Sequence, residues 1–262
     1  PGMLLAMDPS GQASPIQGEK TTEPTFGLPA VWIEEPKREE AQFAGYTVVD
    51  VATVIVTHLT EIVKDNLPDL LSREEVQQLL DEMRGTHQRL IEDLVPDRVS
   101  VSTLQQVLRN LLTERVSVRD LPTILEAIAD TVGSGTTQIT EVVENVRQRL
   151  SRQICMNALA PDGSIPLLAL SGQWEKDFSE SIRVQGEIRQ LAMDPAKVQQ
   201  FVRKASESLE QQLNRGVQPV LLTSPAIRPF VRQLTERALP QIPVMSQAEI
   251  HPKAKIKTVG TV

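Results

Sequence analysis

The sequence predicts an α+β protein of several subdomains: a small α/β unit, a helical middle and a C-terminal α/β unit. Three observations predict it. Its 262 residues exceed what one domain usually holds. Helical-period apolar stripes fill positions 71 to 155, and short apolar runs punctuated by Gly and Pro lie on either side of them.

In the first 50 residues, Met3 to Met7, Phe26 to Ile33 and Tyr46 to Val49 read as short strands, with a polar loop from Asp8 to Glu23. Pro36 is placed to open a short helix, Lys37 to Ala44, which Gly45 stops. Asp50 is a good N-cap for a helix whose stripe is Val51, Ile55, Leu59 and Ile62, although the β-branched run Val51 to Val56 also fits a strand. Positions 1–50 are thus one small α/β unit, followed by a segment at 51–70.

From Ser72 the helical signal strengthens. Ser72 with Glu75 forms a capping box, and Val76, Leu79, Leu80 and Met83 make a stripe that ends before Gly85. Further stripes follow at Leu104 to Leu112, Ile124 to Ile128 and Val142 to Ile154, so 71–155 reads as a helical subdomain. After the turn signature Pro161-Asp162-Gly163, positions 156–262 alternate: an apolar run Ile165 to Leu170, a helix from Gln173 to Arg183, a long helix opened by Pro195 and stopped by Gly216. A strand at Pro219 to Leu222, a helix from Ser224-Pro225 to Ala238, and strands at Pro243 to Met245 and Ile256 to Val259 complete a C-terminal α/β subdomain.

Composition narrows the function. Aromatic residues are 3% of the chain, so Leu, Ile and Val build the core. A net charge of −7 gives no general attraction to phosphate, and between 71 and 150 nine arginines face thirteen acids, the wrong balance for a DNA reader. No nucleic-acid partner is expected. The one cysteine, Cys155, and the scattered His58, His87 and His251 offer neither an internal disulfide nor metal-ligand spacing, which points to an intracellular, metal-free chain without a cofactor. Val48 to Val63, the most apolar stretch, is interrupted by Asp50, Thr53, Thr57, His58, Thr60 and Glu61 and is not expected to cross a bilayer. The chain opens on Pro1 without a charged leader and an apolar run, and the expectation is a piece of a longer protein.

No catalytic set emerges, so the chain is not expected to be an enzyme. Gly133-Ser134-Gly135 lacks the lysine of a phosphate loop, and adjacent acids such as Glu34/Glu35 and Glu74/Glu75 point different ways on a helix. Cys155 beside Ile154 reads as a small buried hydrophobe, and His58 as a core or boundary histidine. Phe26, preceded by Glu23 and Pro24, has two readings: an aromatic anchor for a protein partner, or part of the core of the first unit.

Long motifs carry a family resemblance. Gly18-Glu19-Lys20-Thr21-Thr22-Glu23-Pro24-Thr25-Phe26-Gly27-Leu28-Pro29-Ala30-Val31-Trp32-Ile33, Gly45-Tyr46-Thr47-Val48-Val49-Asp50 and Thr57-His58-Leu59 resemble the cytoplasmic part of the FlhA (FHIPEP) family of flagellar type III export-gate proteins. Arg73 to Asp81, Glu92 to Pro96, Val118 to Glu126 and Pro219 to Arg228 continue the similarity in order.

The resemblance implies a non-enzymatic docking platform on the cytoplasmic face of the bacterial inner membrane, with subdomain two at 1–50, the returning part of subdomain one at 51–70, subdomain three at 71–155 and subdomain four at 156–262. It implies export chaperones with their substrates, the export ATPase complex and membrane-embedded gate components as partners, and a homo-oligomeric, nonameric ring. It places chaperone and substrate binding at Glu23, Phe26 and Thr57; Glu23 and Thr25 depart from the usual Asp and Ala. The alternative within the same family is the gate of a virulence injectisome, which carries different cargo. A hydrolase, the third class, lacks a catalytic group.

Overall fold

The first unit, Pro1–Leu70, is organised by its most apolar strand. In the computed structural model, which describes residues 2–9, 11–186, 188–240 and 242–262, β1 (Met3–Met7), β2 (Glu19–Thr22), β3 (Pro29–Glu34) and β4 (Thr47–Asp50) form an antiparallel sheet ordered β2-β3-β1-β4. Alternation along β1 sends Leu4 and Ala6 to one face, with Val31, Ile33 and Ala41, and Leu5 to the other, with Ala30 and Val54. The expected loop Asp8 to Glu23 contains β2. That strand has no apolar residue, and its backbone pairs with β3 at an exposed edge, so periodicity gave no sign of it. Gly18 leads into it where a Cβ would lie 2.3 Å from the Trp32 carbonyl oxygen, an approach only glycine permits. The run expected from Phe26 becomes a strand only at Pro29.

A 3-10 turn (Glu35–Lys37) leads into α1 (Arg38–Phe43), and α2 (Val51–Leu70) follows β4. The Asp50 carboxylate accepts the Thr53 amide at 2.6 Å, the N-terminal hydrogen bond that settles the segment as helix. Its expected core stripe is not core in this chain. Val54 alone is buried against the sheet, while Ile55 and Leu59 are 59% and 58% exposed.

The second unit, Leu71–Val262, begins with α3 (Arg73–Leu94), α4 (Val101–Thr113), α5 (Leu121–Gly133), α6 (Ile139–Arg149) and α7 (Ser151–Asn157). The capping box forms: the Ser72 hydroxyl accepts from the Glu75 amide at 3.2 Å and the Glu75 carboxylate from the Ser72 amide at 2.5 Å. Gly85 does not end α3. The helix runs through it and kinks at His87 (φ −132°, ψ 35°), because the apolar positions Ile91 and Leu94 continue the buried stripe.

There follow β5 (Ser164–Ala169), α8 (Gly172–Ser181), the hairpin β6 (Ile182–Gln185) and β7 (Ile188–Leu191), α9 (Pro195–Leu213), β8 (Val220–Thr223), α10 (Arg228–Ala238), β9 (Val244–Ser246), a 3-10 turn (Gln247–Glu249) and β10 (Lys255–Thr261). The helix expected to reach Arg183 stops at Ser181, and the hairpin escaped the sequence reading because its strands bury no face. The helix expected from Ser224 starts at Arg228, after a turn.

Strands β10-β5-β8-β9 make a parallel sheet in which β5, β8 and β9 are buried on both faces and β10 is an exposed edge. Ile165, Leu167, Val220 and Met245 join the core of α3 to α7, whereas Leu168, Leu221 and Val244 face Trp174, Phe178 and Phe201 on the helices of the other side. The secondary structure changes character near 155, and the core runs straight across that point.

A buried ion network spans the same junction. Arg228, 1% exposed, meets Glu114 after α4, Glu144 on α6 at 2.9 Å and Glu249 of the 3-10 turn at 3.3 Å. Arg147, on α6, bonds Glu249 at 2.5 Å and lies 3.2 Å from Glu114. Glu249 also accepts the Ser246 amide, which fixes the turn after β9. Burial pushes the Glu144 carboxyl up to about 7, against the pull of Arg228 and Arg147 and together with the repulsion of Glu249 and Glu114.

Arg228→Ala leaves Glu144 without its ion pair and Glu114 and Glu249 with Arg147 as their main cation, and is expected to cost about 3–5 kcal/mol of unfolding free energy, measured by urea titration. Native Glu144 holds its proton to higher pH than the unfolded chain does, so its contribution is fully present below about pH 4.5 and lost as pH rises through about 7. Gln imitates the protonated form. Glu144→Gln is therefore expected to be more favourable relative to wild type at pH 8 than at pH 5 in the same assay.

Candidate functional site

The turn between β2 and β3 builds the site from its backbone outward. The Glu23 amide donates to the Leu28 carbonyl at 2.8 Å, and the Gly27 amide donates back to the Glu23 carbonyl at 3.0 Å. Closing so small a loop needs Gly27 at φ +68°, the left-handed region where a side chain is costly. Inside the loop the Glu23 carboxylate accepts the Thr25 amide at 2.9 Å and the Phe26 amide at 2.6 Å.

Glu23 is consequently 3% exposed. Burial alone would raise its pKa. The Phe26 and Thr25 amides, with the nearby His58, outweigh burial and hold the carboxyl below its ordinary value. The ionised form is thus the one the turn is built around, and its stabilisation is present above the ordinary glutamate pKa and lost as pH falls through the lowered one.

Phe26 caps this turn with its ring 62% exposed, so the reading of Phe26 as core fails. The structure brings Glu23 and Phe26 together within one turn and places His58, on α2, within electrostatic reach of Glu23. Thr57 precedes His58 and is half-buried; its hydroxyl has no hydrogen bond among the described residues. A hydroxyl bonded back to its own helix is found instead at Thr60, which donates to the Val56 carbonyl at 2.6 Å.

The other sequence candidates are engaged in the fold. Cys155 is buried, its thiol donating to the Glu249 carbonyl at 3.3 Å, and burial pushes its pKa up. Gly133-Ser134-Gly135 closes α5 in a turn. Among the described residues no group of three or more His, Cys, Asp or Glu could hold a metal ion, and no helix is long and apolar enough to cross a membrane.

This arrangement of a small antiparallel unit, a helical bundle and a parallel sheet is that of the C-terminal domains of type III export gates. It superposes on the CdsV protein of Chlamydia pneumoniae with a TM-score of 0.84 at 25% identity, covering 100% of this chain and 74% of that one. It also superposes on the nonameric SctV-C of EPEC with a TM-score of 0.76 at 24% identity, covering 99% and 78%. The chain belongs to the FHIPEP family, whose model matches residues 1–255. It is 50% identical over 261 residues to the flagellar biosynthesis protein FlhA of Caulobacter vibrioides, and it spans 37% of that relative's length.

Because the ring of Phe26 packs against little, Phe26→Ala is expected to change unfolding free energy by less than about 0.5 kcal/mol. Gly27→Ala forces a side chain into the left-handed region and is expected to cost about 1–2 kcal/mol in the same urea titration.

Proposed function

We propose that this chain is a docking platform of a flagellar type III protein-export gate, facing the cytoplasm, and that the turn carrying Phe26 receives export chaperones loaded with their substrates. The observation that carries the reading is an aromatic ring held out to solvent by a turn whose carboxylate and backbone are fully engaged beneath it. A preordered ring loses little entropy on docking, and aromatic residues dominate binding energy at protein interfaces. Glu23 then acts mainly by holding the turn, and Thr57 supplies a hydroxyl on the neighbouring helix.

The flagellar reading stands above the injectisome one on sequence: the chain is 50% identical to the Caulobacter FlhA against 25% to CdsV. We assign the four-part division at 50, 70 and 155 to the subdomains of such a gate, with a nonameric ring like that of the related SctV-C as its assembled form. The export ATPase complex and the membrane-embedded gate components are its further partners. Its role requires no turnover of nucleotide, ester or peptide.

Calorimetry of a chaperone–substrate complex against the chain tests this. Phe26→Ala is expected to weaken binding about thirtyfold, the equivalent of about 2 kcal/mol, with an unchanged thermal melt. Equal affinity in two equally folded proteins removes Phe26 from the site.

A further inference from the structure

The parallel sheet of the second unit ends on two unlike edges. β9 is buried along its length, whereas β10 pairs with β5 on one side and with no strand on the other. Alternate residues of such an edge turn their N–H and C=O groups outward, unpaired by any strand. The first part of β10, residues 255–258, lies opposite 164–167 of β5, and β8 joins β5 from Leu167 onward. This end of β10 therefore stands beyond the next strand, and all four of its residues are exposed, Ile256 by 54%.

Charge marks the same place. Lys253, Lys255 and Lys257 recur at every second position, and no acid lies between His251 and Val262, in a chain whose net charge is −7. Strand alternation sets Lys255 and Lys257 on one face and Ile256 on the other. Lys257 is within electrostatic reach of Asp162, whose carboxylate already accepts the Ser164 amide at 2.9 Å and hydroxyl at 2.7 Å. Lys253 and Lys255 have no ion pair among the described residues. Backbone groups free to pair thus coincide with positive charge that has little local answer.

We propose that this edge takes up an extended acidic segment of a partner protein as an added strand, with carboxylates at alternate positions opposite Lys255 and Lys257 and an apolar side chain between them on the face of Ile256. Main-chain hydrogen bonds attach the segment, and charge selects it. A second copy of this chain is a poor occupant. Its own β10 would bring lysines against lysines, the device by which edge strands avoid pairing with themselves. Nucleic acid is a poor occupant too, because a short strand interrupted by Ile256 in an acidic chain makes no surface that tracks phosphates. The edge belongs to the second unit and uses no residue of the Phe26 turn.

The test titrates the ¹⁵N-labelled 262-residue chain with acetyl-Glu-Val-Glu-Val-Glu-amide. Two controls change one property each. The same peptide with glutamine for glutamate loses the charge, and the glutamate peptide N-methylated at its central residues keeps the charge but loses the hydrogen bonds of a strand. Saturable amide shifts over residues 254–259, with slowed hydrogen exchange at alternate positions of β10, are expected with the first peptide alone. Replacing both exposed lysines, Lys255→Gln with Lys257→Gln, is expected to leave the thermal melt unchanged, to weaken binding about fivefold and to remove most of its salt dependence. Equal binding of the glutamine peptide, equal binding of the methylated peptide, shifts confined to another surface, or an affinity unmoved by the double substitution would overturn the proposal. Phe26→Ala is expected to leave peptide binding unchanged and the lysine substitutions to leave chaperone–substrate binding unchanged, so this inference and the docking reading fail separately.

Discussion

The second unit depends on giving one buried guanidinium its counter-charges. Arg228 starts α10 and is almost wholly removed from water. An unpaired charge there would cost several kcal/mol, so the fold is stable only when Glu114, Glu144 and Glu249 converge on it. Those three come from the end of α4, from α6 and from the turn after β9. Satisfying one side chain thereby sets the mutual position of the helices and the parallel sheet. The shared core of Ile165, Leu167, Val220 and Met245 with α3 to α7 supplies the bulk of the burial, and the ions supply the register.

The network also explains why an ionisable group of the second unit is poised near neutrality. Three glutamates crowd around two arginines with a third, Arg232, at 3.9 Å from Glu114, and the most solvent-accessible of the acids, Glu144, is the one that absorbs the mismatch.

The first unit uses a carboxylate in the opposite way. Glu23 is held mainly by amides of its own turn, with His58 adding a smaller attraction, and the result is a fixed loop that needs few residues. Phe26 is exposed as a direct result, because a turn closed by Glu23, Gly27 and Leu28 has no interior left for a ring. The outcome is an exposed aromatic side chain on a hydrogen-bonded turn.

Local signals alone determined much of this. The capping box at Ser72, the N-cap at Asp50, the helix opened by Pro195 and the strands β1, β5 and β8 are each written in a few neighbouring residues, since hydrogen bonds at helix ends and side-chain alternation are short-range. The motifs around Glu23, Phe26 and Thr57 marked the family. Tertiary structure decided the rest. β2 and the β6–β7 hairpin bury no face, with only Ile182 and Leu191 at the hairpin's ends touching the core, so no hydrophobic period announces them. The stripe of α2 looks like core in sequence, yet only Val54 finds a sheet to cover it. Whether Phe26 was core or surface turned on one hydrogen-bonded loop. Arg228 and Glu114, 114 positions apart, could not be paired from either one's neighbours, because what joins them is the energy of burying charge, which exists only once the chain has closed around it.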